Sequence, residues 1–293
     1  MRLRRTALAV PALLALAVTG CAPADEESDA ADEKSPGSGE TSQTAAECAE
    51  SAAFRTEGRL SIGTDSPAYE PWFVDDDPTN GEGYESAVAY AVAERLGFAE
   101  DEVEWVTVPF NSVYKPGAKN FDFDINQISI TPERAKVVDF SDGYYSAAQA
   151  VITLEGGVEV ADIAALTDLK LGAQTGTTSL TAIRDVIKPA TEPLVFEDTN
   201  AAKQALLNGQ VDAILADLPT AFYISSVEIE GSAIVGQFQP ETGEQEEFGM
   251  LFEKGSDLVP CVNAALAEMR DDGTLAEIEQ EWLSDVVDVP ELS

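Results

Sequence analysis

An amide, two hydroxyls and a guanidinium lie within one short stretch, at Gln127, Ser129, Thr131 and Arg134 of FDFDINQISITPERAKVVDFSDGYY, residues 121–145. A guanidinium is the natural bidentate partner of a carboxylate, and neighbouring hydroxyls and amides can complete such a site. The other reading is a surface arginine pairing with Asp139. Residues 121–130 contain few breakers and end on β-branched side chains, as a strand and its following turn do. Thr131 can cap a helix, Pro132 suits the first helical position, and Glu133 suits the positive end of the dipole. One strand would therefore deliver Gln127, Ile128 and Ser129 to a turn, with Arg134 just behind them.

These side chains need a frame, and the flanking sequence predicts one. Residues 60–64 read as a strand ending at Asp65. A loop over 66–73 follows, with two prolines and the aromatics Tyr69, Trp72 and Phe73. A helix over 85–96 stops at Gly97. A strand over 103–108 ends near Phe110, and a helix or irregular turn over 112–119 precedes the focal strand. Strand, helix, strand, helix, strand predicts an open parallel α/β sheet.

A second α/β unit follows an extended run at 150–153. It has strands at 169–173, 194–196, 211–217 and 234–238 and helices at 179–187, 199–207 and 219–225. The end of the chain holds an acidic excursion at 241–247, a strand at 248–252 and helices at 256–270 and 275–283. In open α/β sheets, ligands sit beyond the carboxyl ends of the strands. Asp65, Phe110, the 127–129 turn, Gly176-Thr177-Thr178 and Asp217 all fall at such ends. Amides and a hydroxyl at Thr178 suit an anion, with a plain N-cap as the alternative. For Asp217, followed by Pro219, the alternative is also a helix cap.

The composition excludes some chemistry. The 293 residues carry a net charge of −37 and no histidine, which rules out a Ser-His-Asp triad and a His-ligated metal. No cofactor or metal is expected. Residues 1–20 read as a signal peptide, three arginines followed by an apolar run too short to span a membrane. Val18-Thr19-Gly20-Cys21 resembles a bacterial lipobox, which would make Cys21 the lipidated first residue of the mature protein. Processing there takes the net charge from −37 to −40. Such a surface repels nucleic acid. Residues 21–50 read as a flexible tether without aromatics, although a helical extension near Cys48 is an alternative. With Cys21 acylated, Cys48 and Cys261 remain, and an oxidising compartment predicts one disulfide between them.

The run SITPERAKVVDFSDGYY resembles the polar amino-acid-binding family of bacterial extracellular solute-binding proteins. LGAQTGTT and NGQVDAILAD match the same family in order and spacing, and the resemblance covers roughly residues 60–283. It implies an α/β periplasmic-binding-protein-like type II fold. Each of two lobes would be an open sheet flanked by helices, with the ligand in the cleft between them. Lobe one would take residues 51–150 and a returning block at 241–288, and lobe two residues 151–240. The crossovers would lie near 148–153 and 237–245.

The implied function is that of a monomeric receptor feeding an ABC permease and ATPase, held outside the cell membrane by its lipid anchor. The ligand would be a polar or basic amino acid. Arg134 and Thr178 would hold its carboxylate. Asp217 would accept from its ammonium, helped by oxygens at Gln127, Ile128 and Ser129. Asp65, Tyr69 and Phe110 would meet its side chain, with Trp72 in the lobe core. No reaction is implied. The alternatives are an arogenate- or cyclohexadienyl-type dehydratase using Asp65 or Glu70 as an acid, and a sensor that signals without transport.

Overall fold

The computed structural model describes residues 43–158, 160–239, 246–283 and 289–292. The signal segment, Cys21, most of the tether and residues 241–245 of the acidic excursion lie outside the described residues. The chain opens with α1 (Ala45–Ala49), which begins inside the stretch read as tether. Thr44 starts this helix, accepting from the Glu47 amide while the Glu47 side chain reaches back to the Thr44 amide. Then come β1 (Leu60–Thr64), α2 (Tyr84–Arg95), β2 (Val103–Thr107), α3 (Phe110–Val113), β3 (Phe123–Asp124), β4 (Val138–Phe140), β5 (Tyr145–Ala147) and β6 (Gln149–Leu154). The second half holds β7 (Leu171–Gln174), α4 (Thr178–Ala182), β8 (Leu194–Phe196), α5 (Thr199–Leu207), β9 (Ala213–Asp217), α6 (Leu218–Tyr223) and β10 (Ser232–Phe238). It closes with β11 (Glu246–Phe248), β12 (Leu251–Glu253), α7 (Val259–Asp271) and α8 (Thr274–Leu283).

Two five-stranded sheets organise these elements, in the orders β2-β1-β3-β12-β4 and β10-β6-β9-β7-β8. Helices α1, α2, α7 and α8 pack together beside the first sheet, and α4, α5 and α6 pack on the second. The first sheet is not the purely parallel one expected, and the second is mixed as well. β1 runs parallel to β2 and β3, but β12 is antiparallel to β3 and β4. In the second sheet β6 is antiparallel to both β9 and β10. The reason is the returning chain: β12 arrives after the excursion through lobe two and enters the first sheet from the opposite end. A small ribbon of β5 and β11 joins the two halves.

The focal strand is far shorter than expected. Only Phe123–Asp124 pair with β1. Gln127 then adopts φ +47, a left-handed turn that ends any strand. The chain resumes along the returning segment instead: Ser129 bridges Phe248, and the Ile130 amide donates to Glu247 O. The strand expected over 248–252 is likewise split, into β11 and β12, around residues 249–250.

The first lobe's core joins α2, α7 and the aromatics Trp72, Phe73, Tyr84 and Phe248, all fully buried. Cys48 on α1 and Cys261 on α7 are bonded, across 213 residues of sequence. Residues 289–292 lie along β10: the Gln237 amide donates to Pro290 O, the Leu292 amide donates to Gln237 O, and Leu292 enters the second lobe's core.

Candidate functional site

The carboxyl ends of β1 and β9 face one cavity of about 60 Å³ between the lobes. Asp65, Tyr69, Phe110, Gln127 and Ser129 line it from lobe one, and Thr177, Thr178 and Asp217 from lobe two. Asp65 follows β1 and accepts from the Ser66 amide at 2.7 Å and the Phe110 amide at 3.1 Å. Burial, its largest influence, holds this carboxyl above the usual range. The Tyr69 hydroxyl is buried without a hydrogen-bond partner among the described residues, and the Lys203 ammonium stands 5.6 Å from the ring centroid.

Two of the expected contacts are placed differently. Ile128 does not line the cavity: its side chain is fully buried with Phe110, Val113 and Leu251, and its carbonyl, the oxygen expected to help, accepts from the Gly249 amide at 3.1 Å. Arg134 also stands behind the lining. Nη1 donates to Ser129 O at 2.7 Å and Nη2 to Gly176 O at 2.9 Å. The guanidinium sits 5.7 Å from the Phe110 ring centroid and 5.0 Å from that of Tyr114. It is only 9% exposed, and Asp139 pairs with Lys254, so the surface arginine pairing with Asp139 is excluded.

The cap alternatives resolve in the same way. Thr177, rather than Thr178, caps α4 by accepting from the Leu180 amide at 3.1 Å. Thr178 is free to meet the Ser129 hydroxyl at 3.2 Å, across the lobes. Asp217 precedes α6, but its side chain makes no capping bond. Its carboxylate instead accepts from Gln149 Nε2 at 2.7 Å. Burial first, then the Glu246 charge, push the Asp217 carboxyl well above the usual range, against the pull of Gln149 and Arg134. Trp72 lies in the lobe-one core as expected, yet its indole N–H reaches Thr220 Oγ1 in lobe two at 2.8 Å. Together with the Arg134–Gly176 and Ser129–Thr178 contacts, this makes the arrangement a closed one.

Sequence reasoning missed Gln149 and Glu246. Gln149 sits directly opposite Asp217 in the β6–β9 register. Glu246 belongs to the run read as a polar excursion, but it is 8% exposed while Glu247 is exposed. No sequence signal separated them, because the period-two alternation lies in burial while residues 246 and 247 are both Glu. The arrangement offers hydroxyls, carboxylates and a guanidinium converging from two lobes. It can pair both ends of a small zwitterion, which leaves water only when both charges are met.

The chain matches the bacterial extracellular solute-binding proteins, family 3, over residues 60–285. It is 31% identical to the L-cystine-binding protein TcyA of Bacillus subtilis over 242 residues, 80% of this chain and 85% of that protein. An ancestral arginine-binding protein, solved bound to glutamine, superposes with a TM-score of 0.66 at 31% identity, covering 78% of this chain and 99% of that one. The ancestral amino acid-binding protein AncCDT-1, a precursor of cyclohexadienyl dehydratase, superposes at 0.64 with 30% identity, covering 77% and 95%.

Proposed function

The chain belongs to the bacterial extracellular solute-binding proteins, family 3, and from that premise we propose that it is the receptor of an ABC importer for a polar or basic amino acid. The observation that carries this reading is one cavity built from both lobes, with Ser129 on Thr178 and Arg134 on Gly176 across it. Arg134 spends two N–H groups on backbone carbonyls. Its remaining donors, with the Thr178 hydroxyl, take the ligand carboxylate, and Asp217 takes the ammonium. Asp65, Tyr69 and Phe110 meet the side chain. The lobes comprise residues 51–150 with 241–288, and 151–240.

Contacts divided between lobes give a reason to close, because only the closed form satisfies both ends of the ligand. On this reading the lobes part to admit the ligand and close around it. A monomer anchored outside the membrane through lipid on Cys21 would present this cleft to the permease and its ATPase. Names of relatives support this class of ligand, since they bind cystine and arginine. The dehydratase alternative needs an acid free to protonate a leaving group. Asp65 commits both oxygens to the Ser66 and Phe110 amides, which favours binding over turnover.

The test is a thermal-shift screen over the amino acids and L-cystine, since a ligand raises stability by mass action. Asp217→Asn should then weaken every binder tenfold or more, about 1.4 kcal/mol per tenfold, while Asp65→Asn should reorder preferences. No stabilisation by any amino acid, together with turnover of prephenate or arogenate, would favour the enzyme.

A further inference from the structure

Gln149 is fully buried and donates Nε2 to Asp217 Oδ1 at 2.7 Å and to Glu246 Oε2 at 2.9 Å. One amide nitrogen thus bridges two carboxylates. The opposite amide orientation would set its oxygen against carboxyl oxygens at 2.7 and 2.9 Å, of which a single carboxyl proton could relieve only one. In this orientation Gln149 Oε1 is buried without a hydrogen-bond partner among the described residues. The bridge therefore satisfies the carboxylates and leaves its own acceptor lacking a donor.

Glu246 is held here by the strand pairing. β11 pairs with β5, setting Glu246 opposite Ala147, and the neighbouring Phe248 bridges Ser129. Glu246 Oε1 accepts from the Ser129 hydroxyl. The charged and titratable groups facing the pair are Arg134, Glu85 and the Tyr145 phenol. One guanidinium stands against two carboxylates that share a donor, and burial, then the Glu246 charge, hold the Asp217 carboxyl above the usual range. A cationic donor set between them would relieve this repulsion.

We propose that Glu246 is a further recognition residue of the cleft, forming with Asp217 a two-carboxylate cage that grips the ligand's ammonium and releases the Asp217 carboxyl proton on binding. This rests on the reading of the cleft as an amino-acid site. The ammonium keeps its three protons and donates to both carboxylates, taking the place of Gln149 Nε2. The carboxyl proton passes to solvent, and no other bond forms or breaks. Gln149 then has a donor within reach of its orphan oxygen. Binding strengthens as pH rises through the range in which the unliganded Asp217 carboxyl holds its proton.

The experiment is calorimetric titration of the wild type and Glu246→Gln with L-arginine, L-glutamine and L-cystine, each in two buffers of different ionisation heat. The expected wild-type result is a buffer-dependent heat reporting proton release. Glu246→Gln should bind at least tenfold more weakly and lose that dependence, and Glu246→Asp should recover part of both. Wild-type binding without proton exchange overturns the proposal while leaving the receptor reading intact, and so does unchanged affinity in Glu246→Gln. Should none of the three bind the wild type, the amino-acid reading falls and this inference with it. If Glu246→Gln does not fold, the wild-type buffer dependence alone decides.

Discussion

Glu85 holds Gln127 twice, accepting from its backbone N–H at 2.7 Å and from its side-chain amide. Tyr144 adds a third donor through its hydroxyl. The carboxylate of α2 thereby fixes the left-handed turn that brings Gln127 to the cavity wall, at a residue type that seldom adopts positive φ. Burial outweighs these three donors and raises the Glu85 carboxyl to about 7.

That shift sets a pH dependence. The unfolded chain releases this proton near the ordinary glutamate value of about 4.3, whereas the folded protein keeps it to about 7. Between those values the native state binds more protons, so stability falls as pH rises. Across the whole window the loss is roughly 3–4 kcal/mol. Glu85→Gln should flatten this slope, read as the difference in chemical-denaturation stability between variant and wild type from pH 4 to 8. Parallel curves would remove Glu85 as the source.

Arg134 ties Ser129 to Gly176 and so links the lobes directly. Arg134→Lys replaces a planar fork with a point charge and should weaken binding at least tenfold. Arg134→Ala should cost on the order of 2–5 kcal/mol of binding, as for truncating one side of a buried charge pair. Calorimetry with the tightest binder from the screen checks both. Wild-type affinity in Arg134→Ala would take the residue out of the site.

Gly176 should be intolerant for a reason local to closure. It adopts φ +77, and a Cβ there would collide with the Tyr114 hydroxyl and lie 2.9 Å from Asn111 Oδ1. Tyr114 belongs to lobe one, so the clash acts only when the lobes meet. Gly176→Ala should lose at least tenfold in affinity, while the unliganded fold loses only about 1–2 kcal/mol from the left-handed backbone. Adding Tyr114→Phe removes the nearest atom and should restore part of the binding. Equal affinity in Gly176→Ala and wild type would argue against this closed contact.

The Cys48–Cys261 bond ties α1 to α7 over 213 residues of sequence. The chain-entropy account gives a stabilisation of about 5 kcal/mol for so long a loop. Cys48→Ala with Cys261→Ala should lower stability by that order without changing ligand affinity, because neither cysteine lines the cavity. Thiol counting on denatured, unreduced protein should find neither cysteine free.

Much of the frame was legible because local signals agreed with one another. The strand at Leu60–Thr64, the helix ended by Gly97 and the strand running into Asp217 each combine a hydrophobic pattern with a stop. The mixed sheets were not legible, since strand direction depends on where β12 and β6 arrive from, which no local pattern encodes. The focal stretch failed as a long strand because Gln127 turns left-handed under the grip of a residue forty-two positions away. Asp217, Ser129 and Thr178 stood out at strand ends. Glu246 did not, because its run of acids looks solvated and its burial comes only from pairing with β5 and contact with Ser129.

The Trp72 indole gives the molecule a built-in optical reporter. The chain has three tryptophans. Trp105 bonds to Tyr90 within lobe one, and Trp282 sits on α8 against the same core. Among the described residues, Trp72 alone of the three hydrogen-bonds across the cleft, through Thr220. When the lobes part, its N–H exchanges a fixed hydroxyl for mobile solvent while the other two chromophores keep their surroundings. Emission colour and quenching by small solutes should therefore follow the opening of the cleft in unlabelled protein. In Trp105→Phe with Trp282→Phe, that signal would come from a single fluorophore, and stopped-flow mixing would time the closing step directly.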